Sequence, residues 1–125
     1  MSFPELLSEV LKLKRDEKRT QTDDYLEVVV SKAVLPEFEK VLESYFGPAI
    51  KPFGKGASGD ANRYSKPYGG IREDQGMYFR KEEGGNELAL LWPWGSGTPI
   101  TIKIIREKSK AASGGFSLGA LFGKK

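Results

Sequence analysis

Two residue types are missing altogether. The 125-residue chain has no cysteine, which excludes a disulfide framework and any thiol chemistry. It has no histidine either, which removes the commonest general acid–base and leaves a metal only oxygen ligands. No run of about 18 apolar residues occurs, so no membrane span is expected. Residues 1–14 alternate charge with leucine too often to form the apolar stretch of a signal peptide. These absences predict a cytoplasmic protein that binds no cofactor or metal and works by holding something instead of transforming it.

What is present is ordinary for a folded domain: 38% of residues are hydrophobic and 30% charged, well away from disordered compositions. The net charge of +3 is unevenly spread, with −3 over residues 1–46 and +3 over each of 47–82 and 83–125. That excess is small for nucleic-acid binding, though it is compatible with an anionic partner.

Ser2-Phe3-Pro4-Glu5 fits a capping box with proline in the first turn. Phe3, Leu6, Leu7, Val10 and Leu11 then follow at helical spacing, which predicts a helix over about 3–17 followed by a turn. Tyr25 to Val30 is aromatic and β-branched with apolar groups on both faces, the pattern of an interior strand. Leu35, Phe38, Val41, Leu42 and Tyr45 predict a second helix from Leu35 to Phe46, closed by Gly47-Pro48. Three strands are predicted near the end: Met77–Glu82, Glu87–Trp92 after a Gly84-Gly85 turn, and one starting at Ile100, where isoleucines alternate with Thr101 and Lys103. Between the second helix and these strands, residues 47–76 are rich in glycine and proline, and only Ala49-Ile50-Lys51 reads as able to join a sheet. So long a loop in a compact domain is usually functional or disordered.

The expected architecture is α+β: one domain over residues 1–107, with a mainly antiparallel sheet of about four strands and two helices packed on one face. The order is α-β-α-(long loop)-β-β-β, and a flexible, basic, Gly-rich tail is expected over 108–125.

Several motifs invite a chemical reading. Gly54-Lys55-Gly56-Ala57-Ser58-Gly59 resembles a phosphate loop in composition only; Ala49 stands where the first glycine belongs and Gly56 follows the lysine in place of a hydroxyl residue. The adjacent carboxylates, Asp23-Asp24, Glu73-Asp74 and Glu82-Glu83, point to opposite faces if extended, and so are not sites by spacing alone. The loop does interleave cations and rings: Lys51, Phe53, Lys55, Arg63, Tyr64, Lys66, Tyr68 and Arg72. Single-stranded nucleic acid is held by that combination; equally, tyrosines can lie over a core while Lys and Arg heads face water. Trp92-Pro93-Trp94 adds an indole, Trp94, placed for a binding surface, whereas Trp92 shares the face of Leu88 and Leu90 and is expected in the core. In the tail, Phe116, Leu118 and Phe122 read as a docking peptide for a partner or for a groove of the domain itself.

The sequence therefore predicts a small, non-catalytic binding or protein-interaction domain. Its candidate surface joins Lys55, Arg63, Tyr64, Tyr68 and Arg72 to Trp94, facing an unknown protein or anionic ligand. The alternative is a single-stranded nucleic-acid binder using the same loop, and the third reading a histidine-independent enzyme.

Overall fold

The computed structural model describes residues 1–82 and 84–107. Its first helix, α1 (Phe3–Lys12), begins at the capping box: the Ser2 amide donates to Glu5 Oε1 at 2.7 Å and the Glu5 amide donates to Ser2 Oγ at 3.2 Å. The Ser2 amide holds the Glu5 carboxyl below the usual carboxylate range. Replacing Ser2 by alanine removes one arm of the box and is expected to lower stability by about 1 kcal/mol, read as a shift in the urea midpoint. Phe3, Leu6, Leu7 and Val10 are the buried face.

The helix stops at Lys12, well short of the expected end near residue 17, and the polar stretch after it is a strand, β1 (Glu17–Gln21). The Asp16 amide donates to the Val29 carbonyl at 2.8 Å, and β1 then pairs antiparallel with β2 (Tyr25–Val30), with a bulge between Lys18 and Thr20. All five β1 residues are exposed. Alternating burial is the usual sequence signal of a strand, and an exposed edge held mainly by backbone ladder bonds does not produce it. Its charged side chains also discourage pairing with other chains.

Leu35–Phe46 forms α2, with Phe38, Leu42 and Tyr45 buried and Gly47 closing it at φ 84°. Then follow α3 (Gly59–Ser65), β3 (Gly76–Glu82), β4 (Gly85–Pro93) and β5 (Ile100–Arg106). The sheet has five strands in the order β1-β2-β5-β4-β3, and every neighbouring pair is antiparallel. The chain is thus α+β with an antiparallel sheet, as expected, but with five strands where four were predicted and a third helix inside the stretch predicted to be a loop. The expected interior strand is interior, flanked by β1 and β5.

Both sheet faces are covered. On one, α1 and α2 pack on Leu26, Val28, Val30, Tyr78, Ala89, Leu91, Ile102 and Ile104. On the other, Met77, Leu88, Leu90 and Ile105 lie beneath Ala61, Tyr64, Tyr68 and Ile71, supplied by α3, the short 3-10 turn Lys66–Tyr68 and the residues just after it. Ser58 caps α3 by accepting the Ala61 amide at 3.1 Å. Tyr64 stacks on Phe79 of β3 with ring centroids 4.2 Å apart. The long loop is therefore a folded lid.

Lys51 clasps the two ends of that lid. Its side chain is fully buried, and Nζ donates to the carbonyls of Pro52 (2.9 Å), Glu73 (2.7 Å) and Gln75 (2.6 Å). Its backbone forms an antiparallel bridge with Met77, the one sheet contact predicted for Ala49-Ile50-Lys51. Beside it the Phe53 ring lies against Gly76, where a Cβ would come within 3.3 Å of the ring.

Candidate functional site

The site is built on the face that the lid covers only in part. Along this face the register sets Val29, Thr101 and Trp92 in one row across β2, β5 and β4, and Glu27, Lys103 and Leu90 in the next. Trp94, just past β4, folds back so that its Nε1 donates to Thr101 Oγ1 at 2.9 Å. The return to β5 passes through a tight turn in which the Gly97 amide donates to the Trp94 carbonyl at 2.7 Å and Gly97 takes φ 95°, followed by a cis Thr98–Pro99 peptide.

Between this indole and the far end of the lid lies a cleft of about 520 Å³, lined by Tyr68, Gly69, Gly70, Arg72, Gln75, Trp92, Pro93, Trp94 and Thr101. The volume is within the range of small-ligand and peptide sites. One wall is fixed by hydrogen bonds: buried Gln75 accepts the Arg72 amide through Oε1 at 2.7 Å, and its own carbonyl is held by Lys51. Gly69 and Gly70, at φ 103° and 84°, supply a turn that side-chain-bearing residues rarely adopt. The Tyr68 hydroxyl donates to Glu107, and burial first, then that carboxylate, pushes its ionisation upward. The Lys103 ammonium sits 3.9 Å from the centroid of the Trp92 ring.

The structure brings together three of the six residues singled out from the loop and hairpin: Tyr68, Arg72 and Trp94. Arg72 is 71% exposed, with Nε 3.3 Å from Asp74, and Trp94, at 44%, is the most exposed large hydrophobic side chain after Met1 among the described residues. The other three lie away from this cleft. Lys55 is exposed near the lid's first turn. Arg63, on α3, lies over the Tyr64 ring at 5.2 Å, and Tyr64 is held in the second core by Phe79. Lys51, part of the same basic and aromatic series, is committed to the clasp. Phe116, Leu118 and Phe122 lie outside the described residues.

Sequence reasoning missed the rest of the lining. Trp92 packs against the second core as expected but also walls the cleft. Its Nε1 is buried with no hydrogen-bond partner among the described residues. Thr101, which lines the cleft, and Lys103, which packs on the Trp92 ring, form the polar half of an alternating strand, and one signal was legible: they share a face with Trp92 once β4 and β5 pair. Gln75 carried no signal, because its role depends on the lid closing.

The cleft offers a guanidinium at the rim, exposed indole surface and hydroxyl or amide groups between them, a combination suited to charge-assisted hydrogen bonding and stacking. Among the described residues, no group of three or more acidic, histidine or cysteine side chains converges as metal ligands, and no helix is long and apolar enough to cross a membrane. Comparison with known proteins gave no match to any family model, curated protein or solved structure.

Proposed function

We propose that the protein works by binding, and that the Tyr68–Arg72–Trp94 cleft receives an anionic group carried on a ring or an extended chain. The observation that supports this reading is the convergence itself: residues from the lid and from the β4–β5 hairpin, far apart in sequence, form one cleft with a cation and an exposed indole. The anion pairs with Arg72, where a hydrogen bond to an ionised partner is about twice as strong as a neutral one. The ring or chain lies against Trp94, as aromatic anchors do at binding hot spots.

Both tryptophans of the chain line the cleft, so intrinsic indole fluorescence reports on this site alone. Titration with phenyl phosphate, benzoate and a short acidic peptide is expected to give a saturable change with at least one of them. Arg72→Ala and Trp94→Ala should each weaken that binding by about tenfold, roughly 1.4 kcal/mol. Three flat titrations would overturn the reading. For the single-stranded nucleic-acid alternative, burial of Lys51 and the stacking of Tyr64 on Phe79 remove two members of the basic and aromatic series from any strand. Oligonucleotide binding whose affinity falls steeply with salt, as counterion release from several phosphates requires, would restore that alternative.

A further inference from the structure

On the opposite side of the domain a second cavity, also about 520 Å³, runs between α2 and the segment 48–53. Its walls are apolar, drawn from Pro36, Pro48, Pro52, Phe53, Tyr78 and Leu91, while Glu39, Lys40 and Glu43 of α2 stand along one side. Glu39 and Glu43 are one helical turn apart, so their like charges repel, and among the described residues neither has an ion pair. Burial and then Glu43 push the Glu39 carboxyl above its usual range. The Tyr78 phenol, raised to about 12 by burial and then by these two carboxylates, faces the same groove, and the ammonium of Lys51, which also lines it, is turned away onto the carbonyls of Pro52, Glu73 and Gln75. An apolar groove with excess acid at its mouth suits a segment with bulky apolar groups and ammonium groups close behind them.

The chain carries one such sequence. Phe116, Leu118, Leu121 and Phe122 are followed at once by Lys124 and Lys125. The span available is sufficient. Tyr78 is opposite Ala89, which is opposite Ile104, so it is about 10 Å across the sheet from Ile104, and Glu107 is three residues, about 10 Å, farther along, a straight-line separation of about 14 Å. The eight intervening residues, 108–115, extend over at most roughly 26–29 Å. We propose that residues 116–125 dock in the α2 groove of their own chain, with the Phe and Leu side chains against Phe53 and Tyr78 and the lysines against Glu39 and Glu43.

The absence of cysteine makes the test clean. Ala120→Cys in the full-length protein carries a single nitroxide, and the amide signals of Ala49, Phe53 and Tyr78 are expected to broaden while those of Thr20 on the far edge do not. The broadening should be unchanged on dilution. Glu39→Lys with Glu43→Lys should weaken the docking by about fivefold, the scale of two partly desolvated ion pairs, and adding Lys124→Glu with Lys125→Glu should restore it. Unbroadened groove signals, broadening around Trp94 instead, or broadening lost on dilution (docking into a second copy) would each overturn the proposal. None of these outcomes depends on the anion-binding reading of the other cleft.

Discussion

Lys51→Met is expected to be among the most damaging single substitutions in the protein, although it exchanges one long side chain for another of similar size. Methionine fills the volume but offers no donor, so the carbonyls of Pro52, Glu73 and Gln75 lose a common partner inside the structure. The Pro52 and Glu73 carbonyls keep the amides of Lys55 (3.3 Å) and Gly54 (2.8 Å), but the buried Gln75 carbonyl is left without a donor, which costs about 1–3 kcal/mol. The three share one ammonium whose own burial was unfavourable: desolvation holds it below the ordinary lysine range, with Glu73 and Asp74 pulling it back. The net loss is therefore about 2 kcal/mol, a fall in Tm of roughly 8 °C. Hydrogen exchange should locate the damage. Amides across 52–76 should exchange first, because the clasp ties both ends of the lid, while β2 and β5 open only with global unfolding. The Arg72–Gln75 wall of the cleft hangs from the same clasp, so any ligand of the Trp94 cleft should bind Lys51→Met more weakly. A variant within about 0.5 kcal/mol of the parent would show that the three contacts contribute nothing.

The second large effect is expected in alkali. Tyr25, Tyr45, Tyr68 and Tyr78 all ionise above the ordinary value of 10, in each case first because burial disfavours the phenolate. Three of the hydroxyls donate to carboxylates: Tyr25 to Glu27 at 2.6 Å, Tyr45 to Glu87 and Tyr68 to Glu107. A phenol that ionised there would lose the proton it donates and leave a phenolate facing a negative charge. The sign follows from linkage: a group whose folded value is raised contributes stability fully below the unfolded value and loses it as pH climbs through the folded one. Stability should therefore hold up to about pH 10 and fall beyond it. Tyr78 alone, raised to about 12, accounts for a loss of about 3 kcal/mol across that window. Lys51 acts in the opposite sense, but only below its ordinary 10.5, so it does not offset the tyrosines. Tyrosinate absorbance and near-ultraviolet circular dichroism should change together in one cooperative step. Four phenols ionising independently near pH 10 in an intact fold would refute this account.

Parts of the molecule were legible before any coordinates. The second helix is found at Leu35–Phe46 as predicted, because its apolar stripe, its early proline and Gly47 all report on one local structure. β2 and β5 were legible because alternating or all-apolar β-branched residues record burial directly. β1 was illegible for the converse reason: Glu17 to Gln21 bury nothing, and what makes them a strand is the ladder to Val28 and Val29. α3 was hidden by glycines on either side, and its few buried groups, Ala61 and Ser65, make no stripe that a period could reveal.

The cleft divides in the same way. Tyr68, Arg72 and Trp94 could be nominated as types, but their meeting depends on the lid closing over β3 and β4, on the Gly69-Gly70 turn and on the bond from Trp94 to Thr101. By itself the sequence determined the α+β character, the two main helices, the four burial-patterned strands and the absence of thiol and imidazole chemistry, since each is written in composition or in short-range periodicity. Only the tertiary structure decided that a lysine would serve as a clasp instead of a ligand contact, that the loop would become a second layer, and which rings and cations would share a cleft. Those outcomes rest on contacts between residues distant along the chain, and no local pattern encodes the partner at the other end.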